Sequence, residues 1–182
     1  MSAPRRILLI SGSLRDGSTN TALLRTAQAV APPGLELVLF PGLGELPHFN
    51  PDDDVEPLPP AAAALRAQIG AADAVVFSTP EYAGALPGSF KNLLDWTVGG
   101  GEIYEKPVAW INTSGAPTGA AKAHESLRTV LGYVGSILIE PACGHIPVPR
   151  NSIDGDGLIS DPAITAQVVG ALTALKVHLD QT

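Results

Sequence analysis

The 182 residues are 45% hydrophobic and 16% charged, a composition that supports a real core and excludes a largely disordered chain. Eleven basic side chains against 18 acidic ones leave a net charge of −7. That balance argues against nucleic acid or an anionic membrane as partner, since both reward clustered Lys and Arg. Cys143 is the sole cysteine, so neither an internal disulfide nor a multi-cysteine metal site is expected. No apolar run approaches the ~18 residues of a membrane span. The run Ile7–Ile10 behind Arg5-Arg6 also stops short of the ~7–15 residues of a signal core. A reducing cytoplasm is the expected setting, and the length suits one domain over residues 1–182.

In chain order, Ile7 to Ile10 reads as the first strand, and Leu23, Ala27 and Val30 give a helical face that Pro32-Pro33 stops. Leu35 to Phe40 is the second strand. Ala61, Leu65 and Ile69 mark the next helix, ending at Gly70, and Ala74 to Ser78 the third strand. Phe90, Leu93, Leu94 and Thr97 trace a helix closed by Gly99-Gly100-Gly101, before the fourth strand Val108 to Asn112. Ala123, Leu127, Val130 and Leu131 form a helix with Gly132 beyond, and Ile137 to Ile139 is the fifth strand. The last helix carries Ile164, Val168, Leu172, Leu175 and Leu179, opened by an N-cap pattern at Asp161-Pro162. Several strands are apolar on consecutive residues, as expected where both sheet faces are covered.

Strict alternation of strand and helix implies βαβ crossovers and an α/β fold, a three-layer αβα sandwich around a parallel sheet. The flavodoxin-like five-strand order 2-1-3-4-5 is the commonest solution, and a six-strand Rossmann half would give a similar pattern. One stretch breaks the rhythm. Pro41 to Pro60 holds six prolines and the run Asp52-Asp53-Asp54 without periodicity. It reads either as a solvated acidic loop or as a lid or subunit contact near the carboxyl edge of the sheet.

The segment Gly12-Ser13-Leu14-Arg15-Asp16-Gly17-Ser18-Thr19-Asn20 follows the first strand and opens the first helix. In a doubly wound sheet that loop lies where ligands bind, and its hydroxyls, guanidinium and free helix N–H groups suit a phosphate. Gly12-x-x-x-x-Gly17 followed by Ser18-Thr19 matches a P-loop except that Ser18 stands in the lysine position, which disfavours triphosphate chemistry. The dinucleotide glycine fingerprint is absent as well. A terminal monophosphate remains, or simply an N-cap in a serine-rich turn.

After the third strand come Pro80-Glu81-Tyr82, Pro87 and then Lys91-Asn92-x-x-Asp95-Trp96. With G-S-L-R-x-G-S-x-N upstream, this pair of motifs resembles the NADPH-dependent FMN reductase family, and the likeness runs in order from first strand to last helix. The resemblance implies a flavodoxin-like fold and an enzyme passing hydride from NADPH or NADH through FMN. The acceptor would be a quinone, metal oxyanion, azo compound or free flavin. It implies that Ser13, Arg15, Ser18, Thr19 and Asn20 hold the FMN phosphate. Pro80, Glu81, Tyr82 and Ala83 would line the ring, and Ser114, Gly115 and Ala116 would close its other edge. A homodimer or homotetramer is implied too. The family usually has asparagine at the place of Ala83 and often glycine at that of Ala116. No catalytic acid or base is named, because the hydride chemistry belongs to the cofactor. The competing expectation is a flavodoxin-type electron carrier.

Other signals carry less. His48, His124, His145 and His178 lack metal spacing and read as surface or packing residues. Asp154-Gly155-Asp156-Gly157 lacks the ligand pattern of a calcium loop and reads as a turn. Lys91 and Asp95 are spaced as a helical i, i+4 pair, and Trp96 is expected to pack.

Overall fold

The computed structural model describes residues 3–181. Strand β1 (Arg5–Ser11) lies between β2 (Leu35–Leu39) and β3 (Ala74–Ser78), and β4 (Pro107–Asn112) and β5 (Ile137–Leu138) follow outward. All neighbours pair in parallel, in the order β2-β1-β3-β4-β5. This is the flavodoxin-like sandwich expected above.

The fifth strand is where the structure departs from the expected pattern. β5 covers only the first part of β4, with Val108 opposite Leu138. The chain then leaves the sheet in a short 3-10 turn at Glu140–Ala142 and returns as β6 (Gly144–His145), which pairs with Ile111 and Asn112 further along β4. Pro141 has no N–H to give the ladder, so the strand breaks there.

Alternate residues of the strands feed two cores. Leu8, Ile10, Val75, Phe77, Val108 and Trp110 face α2 (Pro60–Ala71), α3 (Gly88–Asp95) and α4 (Ala121–Tyr133). Ile7, Leu9, Ala74, Val76, Ala109 and Ile111 face α1 (Thr19–Ala29) and α5 (Pro162–Leu179). Helix α4 runs through Gly132, and the helix-ending turn falls instead at Gly135, whose φ of 71° needs a residue without a Cβ.

The expectation that nothing reaches the length of a membrane span is corrected by α5, 18 residues long with a mean hydropathy of 1.2. Its face of Ile164, Val168, Leu172, Leu175 and Leu179 is buried against β1 and its neighbours. Five such side chains hold it there by on the order of 10 kcal/mol, so in this fold it packs one face against the sheet and turns the other outward.

The 41–60 stretch is neither structureless nor solvated throughout. Leu43 and Leu46 are buried in the first core, and Phe49 meets Trp96 edge to face at 5.1 Å. The Trp96 indole and the Asn92 amide both donate to the Pro47 carbonyl at 2.9 Å. Asp54 forms a 2.6 Å ion pair with the nearly buried Arg66, which also donates to the Trp96 carbonyl.

Candidate functional site

The register that sets Ser11 beside Ser78 brings the carboxyl ends of β1, β3 and β4 to one rim. Three loops rise from it, and a hydroxyl–amide network ties their bases together. Asn20 Oδ1 accepts from Ser78 Oγ at 2.9 Å and from Thr113 Oγ1 at 3.1 Å, and Thr19 Oγ1 lies 3.2 Å from Thr113 Oγ1. Burial makes that network stiff: Asn20, Ser78 and Thr113 are all buried.

The first loop turns tightly out of β1. A side chain at Gly12 would collide with Thr79 and Phe90, and Gly17 adopts a φ of 64°. Ser18 then caps α1, its hydroxyl accepting from Thr21 N at 3.5 Å. No acidic residue occupies the first turn of α1, so its positive end is left uncompensated toward the rim. Arg15 is exposed beside it and makes no ion pair among the described residues.

The second loop folds back on itself. Tyr82 and Ala85 exchange backbone hydrogen bonds at 3.1 and 3.0 Å, with positive φ at Ala83 and Gly84 as a type I′ turn requires. Glu81 reaches across to α4, accepting from Ala123 N at 3.1 Å. Ala120, the N-cap position of α4, has no side-chain cap to offer, so the Glu81 carboxylate takes that role.

The third loop, 113–120, is held from below and from the side. Ser114 N donates to Asn112 Oδ1 at 2.9 Å, and the Asn112 amide donates to the Gly119 carbonyl. His145, on β6, donates from Nε2 to the Ser114 carbonyl at 2.7 Å.

Together the loops enclose an open cavity of about 370 Å³, inside the ~300–1,000 Å³ range of small-molecule sites. Ser13, Arg15, Ser18, Thr19, Asn20, Pro80, Glu81, Tyr82, Ser114, Gly115 and Ala116 all line it. Ala83 does not: it sits at the tip of the turn, exposed, with φ at 51°. Asn20 contributes less than its motif implies, since its oxygen is engaged in the network and only the NH₂ end remains for a ligand. Sequence reasoning passed over Thr113 and Arg150. Thr113 stands next to the named Ser114, but Arg150 lies in the loop after β6, where no motif marks it.

The remaining reactive groups stand apart from this cavity. Burial pushes the Cys143 thiol up to about 11, so at neutral pH it is protonated. His124 packs 5.9 Å from Trp110, and its Nδ1 donates to the Ala120 carbonyl at 2.9 Å. Burial holds its pKa below the usual histidine value, against the raising effect of that hydrogen bond. Asp154 Oδ1 accepts from the backbone N–H groups of Asp156 and Leu158, closing the turn that the sequence predicts there.

Comparison with known proteins places this geometry. The family model described as NADPH-dependent FMN reductase matches residues 5–147. An NAD(P)H-dependent FMN reductase of Pseudomonas aeruginosa is 34% identical over 97% of this chain and 96% of its own length. A quinone reductase of Escherichia coli K12 is 31% identical, covering 96% and 95% of the two chains. Among solved structures, the flavoenzyme NAD(P)H:(acceptor) oxidoreductase FerB from Paracoccus denitrificans superposes with a TM-score of 0.85 at 30% identity, over 97% of this chain and 98% of that one.

Proposed function

The chain belongs to the NADPH-dependent FMN reductase family, and from that premise we propose that it binds FMN in the rim cavity and carries electrons from NAD(P)H to a quinone-type acceptor. The residues present fit the cofactor. An unpaired guanidinium, a helix N-terminus with no acidic residue in its first turn and the Ser13 and Ser18 hydroxyls form the anion-binding end. The other end is lined by Pro80 to Tyr82 from the second loop and by Ser114 to Ala116 from the third. Two-electron chemistry at that site is the flavin's own.

The protein's part is to orient and to leave room. Glu81 fixes the second loop against α4, His145 props the third, and the Asn20 network holds the bases of both to the start of α1. Tyr82, half exposed at the lip, offers an aromatic face beside an opening that donor and acceptor can use in turn.

The observation that carries this reading is the convergence of residues from three sequence-distant loops on one cavity with an uncompensated positive end. Adding FMN to purified protein and recording its absorption, then following NADPH and NADH oxidation across a panel of quinones, tests it. Retained yellow colour with quinone-dependent turnover is expected. Bound flavin with negligible turnover would assign an electron carrier, and protein that stays colourless would sink the proposal. We further propose a homodimer or homotetramer in the cytoplasm. Its support is the exposed apolar surface of Val98, Tyr104 and Tyr133 around the 99–101 turn, and light scattering gives the mass.

A further inference from the structure

Lys106 donates to the Gly70 and Ala72 carbonyls, and the other cationic side chains fall into two groups. Arg5, Arg6, Arg66 and Arg128 pair with Asp73, Glu36, Asp54 and Glu140, and Lys91, Lys122 and Lys176 pair with carboxylates of their own helices or the residue just after. Three arginines have no such partner among the described residues: Arg15, Arg25 and Arg150. All three line the rim cavity or a second cavity of about 420 Å³ that adjoins it, the two sharing Ser13, Arg15 and Ser18 as a common wall. In a chain of net charge −7, leaving these three unpaired and bringing them together marks a surface for more than one phosphate.

FMN has a single phosphate, which Arg15 and the start of α1 already provide for. Arg25 lies on the far side of that shared wall, on α1, and faces only the second cavity. The rest of the lining is mixed in the way a nucleoside requires. Leu14, 59% exposed, stands with Phe40, Pro41 and Leu43 as an apolar wall for a base. Asp16 is the carboxylate in the lining, an acceptor suited to ribose hydroxyls or an exocyclic amine rather than to phosphate.

We propose that the second cavity receives the 2′-phosphoadenosine end of the nicotinamide donor, with Arg25 reading the 2′-phosphate and so setting preference for NADPH over NADH. The inference rests on the FMN reading of the neighbouring cavity, because it places the nicotinamide end of the same molecule there.

The test uses FMN-loaded wild-type protein with Arg25→Gln and Arg25→Glu, both at an exposed position where folding is not at risk. Calorimetric titration with adenosine 2′,5′-bisphosphate and with 5′-AMP should show the bisphosphate binding roughly tenfold tighter to wild type, the worth of one charge-assisted contact. That margin should vanish in Arg25→Gln and reverse in Arg25→Glu, while AMP binding stays level. The ratio of kcat/KM for NADPH over NADH should fall by the same factor, through KM. Wild-type protein that takes up FMN and oxidises NADPH, but whose two variants keep the wild-type preference, overturns the Arg25 assignment alone. Wild-type protein that takes up no FMN overturns the reading of the rim cavity and this inference with it.

Discussion

Arg15 illustrates how a single side chain can be legible in function and silent in stability. It is exposed and makes no contact that holds the fold, so Arg15→Ala should leave the thermal midpoint of apo-protein unchanged. FMN affinity should fall by about 1.5–3 kcal/mol, the value of a charge-assisted hydrogen bond to phosphate. Fluorescence titration of FMN against both proteins measures it, and equal affinity would remove Arg15 from the site. Ala83 is the opposite case. The family habit of asparagine there finds its reason in the φ of 51°, a left-handed conformation that asparagine tolerates and alanine resists. That strain is invisible in a sequence without its turn geometry. His124 reads in the sequence as one scattered histidine, and only the packing reveals its titration. With Nδ1 bound to the Ala120 carbonyl, Nε2 is buried with no hydrogen-bond partner among the described residues, and burial depresses the pKa. The folded chain therefore refuses a proton that the unfolded chain accepts below about 6.5. The stability gained by keeping His124 neutral is present above that value and drains away as the pH falls beneath it. Thermal midpoints between pH 7 and 5 should drop more steeply for wild type than for His124→Gln; parallel profiles would assign the acid sensitivity to other groups.

At the level of elements, what is periodic was readable and what is tertiary was not. The helices and strands announce themselves through apolar spacing, because each must bury one face against the sheet. The 41–60 stretch gives no such signal, since much of its order comes from contacts 43 to 49 residues away. Phe49 N donates to Asn92 Oδ1 at 2.7 Å, and Asn92 and Trp96 return two bonds to Pro47. The three aspartates hide different fates: Asp52 and Asp53 are exposed, whereas Asp54 is sequestered against Arg66. The same crowding explains Gly99, where any side chain would strike Asp54 and Arg66. Asp54→Ala would strand the nearly buried Arg66 guanidinium without a counter-charge, costing about 3–5 kcal/mol. Replacing both partners with apolar residues of similar volume should recover most of that loss. Chemical denaturation of the single and double variants measures it; a single variant as stable as wild type would show that the pair is solvated in solution. The broken fifth strand belongs to the same lesson: Pro141 was in plain view, but its consequence depends on which neighbour its N–H would have faced.

Across the whole molecule, charge works at two ranges. The net −7 repels an anionic donor from afar, while Arg15, Arg25 and Arg150 attract it at the rim. Which effect wins depends on how far a charge is felt. At about 0.01 M salt the screening length is roughly 30 Å, comparable with the whole domain, and the net negative charge acts on the incoming dinucleotide. Near 0.1 M it shrinks to about 10 Å, so the donor at the rim responds chiefly to the three guanidiniums and to Asp16 and Glu81 beside them. Toward 1 M, at about 3 Å, even those contacts are screened. Association should therefore pass through an optimum: kcat/KM for NADPH is expected to rise from very low salt to about 0.1 M and to decline beyond it. An uncharged quinone at saturating donor should show no such maximum. A series of initial rates against sodium chloride concentration checks both. A value that climbs steadily to 1 M would mean that repulsion governs at every range, and that the unpaired arginines do not act together on the donor.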